Sequence, residues 1–262
     1  MQNKESSIAL LDSGMGGLNV ARELQLILPE EKIVYYGDTL HLPYGPRPFT
    51  EIRGYVYKII DYLLKKYRVK IIGIACNTAS TAVMKEVKKY YNIPIMGTIQ
   101  PVVQRVAKLD NIKRVGIIGT EGTINSGRYQ KILKANGLKV YSKACPLFVT
   151  MVEKGELAGP GITNIVEEYL SELKNINIEV LILACTHFPF LMPVISEFMG
   201  PEVELINSSV ELAVCIATYL KVNNLINQNL DKEKMDIIVS DSSRVSKLSA
   251  DNVFCEENIF VE

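Results

Sequence analysis

Ten short apolar runs alternate along this chain with longer stretches whose apolar residues recur every three or four positions. The runs are "SIALLD" (7–12), "KIVYYGD" (32–38), "VKIIGIA" (69–75), "IPIMG" (93–97), "RVGIIG" (114–119), "KVYSKA" (139–144), "VLILA" (180–184), "VELIN" (203–207), "MDIIVS" (235–240) and "NIFVE" (258–262). Several are apolar at nearly every position, the pattern of strands covered on both faces. Between them, "TAVMKEVKKYY" sets Ala82, Val83, Val87 and Tyr90 on one helical stripe. "NIVEEYLSEL" sets Ile165, Val166, Tyr169, Leu170 and Leu173 on another. Strand alternating with helix predicts a doubly wound parallel α/β sheet. Ligands of such sheets sit beyond the carboxyl ends of the strands.

Two of these units echo one another. "IIGIACNTAS" (71–80) and "VLILACTHFP" (180–189) each run from an apolar strand through Ala-Cys to a polar helix start. "IALLDSGMGGLNVARELQ" (8–25) and "VGIIGTEGTINSGRYQKIL" (115–133) share a strand, a glycine-containing turn and a helix carrying Arg. The expected architecture is two similar doubly wound domains with the active site in the cleft between them. Residues 1–97 and 208–262 form the first, residues 98–207 the second, and the C-terminal segment returns to the first. Cys76 and Cys185 would then stand on opposite walls of the cleft.

Composition narrows the class. A chain of 262 residues with 48% apolar residues can fill two cores. Its 29 basic and 29 acidic residues give no electrostatic case for nucleic acid or a membrane surface. No apolar run approaches the ~18 residues of a membrane span, and "MQNKESSIALLDSG" lacks the apolar core of a signal peptide. The five cysteines are odd in number, widely spaced and free of any CxxC. That argues against a disulfide framework or zinc ribbon and for a reduced, cytoplasmic enzyme. Cys145, Cys215 and Cys255 read as small packing residues.

The strand ends hold the candidate chemistry. Cys76, in "ACNTAS", precedes a helix starting near Thr78, where the aligned N–H dipoles should lower its pKa from ~8.5. Asn77 and Thr78 offer an amide, a hydroxyl and backbone N–H groups to a carboxylate. Cys185 repeats the arrangement, with Thr186 as hydroxyl donor and Pro189 early in the following helix. His187, two positions on, can take or return a proton. Asp12 and Ser13 end the first strand before Gly14, Gly16 and Gly17, which allow close backbone approach to a small ligand. Tyr44-Gly45, in the proline-rich "LHLPYGPRP" loop (40–48), could form a pocket wall. Glu153 lies in a mostly apolar stretch. Each has a plainer alternative: a packed thiol, an N-cap, a hydrogen-bonded structural histidine, a rigid connection or a solvated helix face.

Taken together, "DSGMGGL" (12–18), "YYGDTLHLPYGPR" (35–47), "ACNTAS" (75–80), "VGIIGTEGTINSGRY" (115–129), "ACPLFVTMVEKGE" (144–156) and "ACTHFPFL" (184–191) closely resemble the glutamate racemases of the cofactor-independent aspartate/glutamate racemase superfamily. The resemblance implies racemisation of glutamate without cofactor or metal. It implies Cys76 and Cys185 as the acid/base thiols, Asp12 beside the first, and His187 and Glu153 assisting the second. Asp12-Ser13, Tyr44-Gly45, Asn77-Thr78 and Thr186-His187 would hold the substrate. It also implies a homodimer that supplies D-glutamate for peptidoglycan in the bacterial cytoplasm. Departures are Gln100 where Glu is usual, Thr150 where Pro is common, and Asn207-Ser208-Ser209 in place of a frequent Asp-Ser-Gly; none touches a thiol. Two bases suit the chemistry, because a proton must leave one face of Cα and return to the other. Rival readings are a soft-metal site at Cys76, Cys185 and His187, a non-catalytic amino-acid binding module, and an aspartate racemase.

Overall fold

The computed structural model describes residues 3–228, 235–245 and 259–261. All ten apolar runs form strands. The first part of the chain contributes β1 (Ser7–Asp12), β2 (Ile33–Gly37), β3 (Val69–Ile74) and β4 (Ile95–Gly97). The middle contributes β5 (Arg114–Gly119), β6 (Lys139–Ala144), β7 (Val180–Ala184) and β8 (Glu204–Asn207). The C-terminal part adds β9 (Asp236–Val239) and β10 (Ile259–Val261). Two sheets result, with strand orders β10-β9-β2-β1-β3-β4 and β6-β5-β7-β8. Every pairing in both is parallel. The C-terminal strands thus join the sheet begun by the N-terminal ones.

The helices are α1 (Leu18–Ile27), α2 (Phe49–Lys66), α3 (Asn77–Val83), α4 (Ile99–Val106), α5 (Glu121–Asn125), α6 (Arg128–Ala135), α7 (Pro146–Lys154), α8 (Pro160–Asn175), α9 (Met192–Met199) and α10 (Ser208–Val222). They cover both faces of each sheet, so inner strands such as β1 and β7 are buried at every position, whereas the edge strand β6, KVYSKA, is not. Along β1 the side chains alternate. Ile8 and Leu10 pack with α1 and α10, whereas Ala9 and Leu11 pack with α2 and α3. In the second sheet Leu181 and Leu183 face the core with α7, α8 and α9, and Val180 and Ile182 face α4 and α6.

One helical stripe is shorter than its periodicity predicts. Helix α3 ends at Val83, a single 3₁₀ turn occupies Val87–Lys89, and Tyr90 is 68% exposed. Ala82, Val83 and Val87 are buried, but Tyr90 packs edge-on against Tyr57 at the surface. The stripe of α8 holds, with Val166, Leu170 and Leu173 buried and Ile165 and Tyr169 half-buried against them.

Strand order locates the site. In the first sheet the winding reverses between β1 and β3, and in the second between β5 and β7. Those are the switch points where α/β sheets open a crevice. Asp12 ends β1, Cys76 follows β3, Thr120 follows β5 and Cys185 follows β7.

Candidate active site

The first wall is built from the ends of β1 and β3. Asp12 is fully buried, and its Oδ2 accepts from the backbone N–H groups of Gly14 at 3.3 Å and Gly17 at 3.1 Å. It therefore ties down the entry to α1. Burial raises its carboxyl above the usual range, only partly offset by the charge of His187 and by these N–H groups. Cys76 caps α3: its Sγ accepts from Ala79 N at 3.4 Å and donates to Ser13 Oγ at 3.6 Å. The expected lowering of its pKa is reversed. Burial first, and the nearby Asp12 carboxylate second, push the thiol up to about 12, outweighing the helix N–H that pulls it down. These surroundings favour the thiol of Cys76 over its thiolate.

The second wall follows β7. Cys185 Sγ lies 3.8 Å from His187 Nδ1, and His187 Nε2 lies 2.5 Å from Glu153 Oε1. Burial alone would lower the imidazolium, but the bonds to Cys185 and Glu153 prevail and hold it at about 10. Glu153 projects from α7, whose first turn begins at Pro146. Its place is against the histidine, not on a solvated face. Pro189 lies in a 3₁₀ turn (Phe188–Leu191) that precedes α9, rather than in the α-helix itself.

The two walls meet around a narrow cavity of about 20 Å³, lined by Ser13, Leu42, Pro43, Tyr44, Gly45, Cys76, Asn77, Thr78, Thr120, Val149, Cys185, Thr186 and His187. Both sequence-singled thiols line it. Such a space holds a single water. Contacts across it are close. Thr186 Oγ1 donates to Asp12 Oδ1 at 3.4 Å, and Asn19 Nδ2 donates to Thr186 O at 3.1 Å. Thr78 Oγ1 and Thr120 Oγ1 are 2.8 Å apart, and Gly122 N donates to Gly45 O at 3.0 Å. Gly16 permits this approach, since a Cβ there would stand 2.7 Å from Thr186 Oγ1. Of the glycines in "GMGG", Gly16 thus admits the facing wall, whereas Gly17 makes room for Asp12 and Ala75 on its own side.

Tyr44 is held from behind: its OH donates to Asp38 Oδ2 at 2.5 Å, and Asp38 also contacts His41 Nδ1 and accepts from Ser240 Oγ. Asn77 lines the cavity, but its side-chain amide is committed to Ser208 Oγ at 3.0 Å and to the Tyr129 hydroxyl at 2.7 Å. Thr120, Val149, Tyr129 and Ser208 were not among the site residues expected from the sequence. Only the position of Thr120 directly after an apolar run signalled it.

Cys145 is buried at the start of α7 and Cys215 is half-buried beside Met96, whereas Cys255 lies outside the described residues. A larger hollow, about 450 Å³, opens between α3, α4, α6 and α10 and is bordered by Gln100 and Cys215, but by neither Cys76 nor Cys185. Thr150 is exposed on α7. Asn207 caps α10 by accepting from Ser209 N at 2.9 Å, as the more usual Asp would. Among the described residues no group of three or more His, Cys, Asp and Glu side chains is placed to hold a metal ion. No helix there is long and apolar enough to cross a membrane.

Two parallel α/β sheets whose switch points face each other across paired thiols define a class, and comparison with known proteins agrees with it. The model of the Asp/Glu/Hydantoin racemase family matches residues 18–215. A glutamate racemase of Exiguobacterium sibiricum is 44% identical over 228 residues, covering 86% of this chain and 83% of that protein. The structure of a glutamate racemase isoform from Bacillus anthracis superposes with a TM-score of 0.88 at 37% identity, over 92% of this chain and 91% of that one. A glutamate racemase from Francisella tularensis in complex with D-glutamate superposes with a TM-score of 0.90 at 32% identity, over 99% and 98%. The chain belongs to the Asp/Glu/Hydantoin racemase family, in its glutamate racemase branch.

Proposed function

We propose that the chain interconverts L- and D-glutamate by a two-base proton transfer between Cys76 and Cys185. The observation that carries this reading is that both thiols line one narrow cavity, each at the end of a switch-point strand. One sulfur, as thiolate, takes the Cα proton, and the opposite thiol delivers its own proton to the other face of the carbanion. The two cysteines have then exchanged protonation states. Asp12 and Ser13 attend Cys76, and the His187–Glu153 pair attends Cys185, where the positive ring stabilises the sulfur as an anion. Thr78, Thr186 and the backbone at Asn77 and Gly45 are proposed to hold the substrate carboxylates. The glutamate complex of the Francisella relative supports this choice of substrate.

Two units, 1–97 with 208–262 and 98–207, are proposed to part to admit glutamate, since a water-sized cavity does not hold an amino acid. Their closure expels water and strengthens each electrostatic contact around the carbanion. The reaction needs neither cofactor nor metal, because thiols alone supply both proton acceptor and donor. We further assign the protein to the cytoplasm as a homodimer supplying D-glutamate for peptidoglycan.

The test is labelling in D₂O from one pure enantiomer, sampled early. The product should carry deuterium at Cα and the remaining substrate almost none, in both directions. Comparable early label in both pools would mean a single base. Cys76→Ala and Cys185→Ala should each nearly abolish turnover, while Cys145→Ala, Cys215→Ala and Cys255→Ala should not.

A further inference from the structure

Asn77 stands immediately after one thiol, yet its amide is spent on a chain of buried hydrogen bonds leading to the other. Its Nδ2 donates to Ser208 Oγ at 3.0 Å, and Ser208 Oγ donates in turn to Leu183 O at 2.9 Å. Leu183 lies in β7, two residues before Cys185. The amide orientation is not free, because the Tyr129 hydroxyl donates to Asn77 Oδ1 at 2.7 Å. Asn77, Tyr129 and Ser208 are all at most 2% exposed. Ser208 is the first residue of α10, where the chain leaves the second sheet and returns to pack on the first. It therefore sits on the crossing between the two halves, and its single hydroxyl both accepts from one thiol-bearing segment and donates to the other.

We propose that Asn77, Ser208 and Tyr129 are positioning residues: their hydrogen-bond bridge fixes the spacing between the Cys76 and Cys185 segments across the substrate. The inference rests on the two-thiol reading. Buried bonds of this kind have one good geometry and no water to substitute for a missing partner. A two-base transfer is sensitive to spacing, because the Cα carbanion left when one thiolate takes the proton must meet the second thiol at contact distance. When the second thiol stands too far, the carbanion persists. The first thiol then exchanges its proton with solvent and returns a solvent proton to the original face.

This consequence separates positioning from mere structural support. Loss of stability lowers the fraction of folded enzyme, but it does not change how each turnover partitions between inversion and return. Ser208→Ala and Tyr129→Phe each remove one hydroxyl from the bridge and add no bulk. Each folded variant would be assayed in D₂O with pure L-glutamate and with pure D-glutamate, alongside steady-state kinetics. Ser208→Ala should reduce kcat about tenfold or more with KM changed less than about threefold, as for an interaction felt in the transition state. The ratio of deuterium in recovered substrate to deuterium in product should rise severalfold above wild type. Tyr129→Phe, which leaves the Asn77–Ser208 bond in place, should raise the ratio less, and it carries the test should Ser208→Ala not fold. An unchanged ratio in the folded variants overturns the positioning role, whatever happens to kcat. Equal label in both pools of the wild-type enzyme would instead overturn the two-thiol reading itself.

Discussion

His187 concentrates the electrostatics of the site in one side chain. It is buried between a thiol and a carboxylate, and its imidazolium persists to about pH 10 although burial opposes it. A group whose folded pKa exceeds its unfolded value of ~6.5 stabilises the fold in its protonated form. That contribution is fully present below about pH 6.5 and is lost as the pH rises through about 10. Glu153→Gln removes the charge 2.5 Å from Nε2, so His187 should release its proton at lower pH and the high-pH loss of stability should begin earlier. The chain has only two histidines, His41 and His187, so proton NMR of the imidazole C–H signals can follow each separately. A His187 titration that stays in place in the Glu153→Gln variant would contradict this coupling. Cys76 is pushed in the same direction for different reasons: burial first, and the neighbouring Asp12 carboxylate second.

Strand β3 shows how one element serves two ends of the fold. Its carboxyl end leads to Cys76, while near its start Lys70 is fully buried and paired with Glu31 Oε2 at 2.5 Å. Lys70 Nζ also donates to Lys4 O and Leu225 O, and Glu31 Oε1 accepts from Asn227 N. This cluster ties the N-terminal segment, the α1–β2 connection and the stretch after α10 to the sheet edge opposite the cavity. Removing one member leaves a buried charge without its partner, which costs about 3–5 kcal/mol. Lys70→Met should therefore lower unfolding stability by that order in urea titrations. kcat at 25 °C should stay near wild type, because the change lies at the far end of the strand. A large fall in kcat in fully folded Lys70→Met would show that the two ends of β3 are coupled.

At the scale of the whole molecule, closure and access are in tension. Contacts between Asp12 and Thr186, Thr78 and Thr120, and Gly45 and Gly122 draw the two halves together around a space of about 20 Å³. Cys76 and Cys185 are buried at 5% and 6% exposure, so their alkylation is expected to require those contacts to part. Bound glutamate should favour the closed arrangement by mass action. Saturating glutamate should accordingly slow iodoacetamide modification of Cys76 and Cys185 by about tenfold or more, read peptide by peptide by mass spectrometry. That factor is the linkage expected when ligand far exceeds its Kd. Half-buried Cys215, outside the cavity, serves as the internal control and should react equally fast with and without glutamate. Equal protection of all three would point to a general stiffening rather than to closure of this cavity.

The strands, their parallel winding and the two Ala-Cys strand ends were legible in the chain because each depends on local pattern. A run apolar at every position has no wet face, and a polar residue after it falls at a strand end wherever the run is buried. The stripe drawn to Tyr90 outruns its helix: α3 stops at Val83, and Tyr90 lies exposed against Tyr57. What the tertiary structure alone decided are the partnerships between distant segments. It brings Glu153 to His187, spends the Asn77 amide on Ser208 and Tyr129, and sets Gly16 against Thr186. It also reverses the pKa shift expected for Cys76. The physical reason is common to all of these. Helix dipoles and strand periods act over a few residues of chain, whereas desolvation and buried hydrogen bonding depend on which remote groups fill the last few ångströms around a side chain.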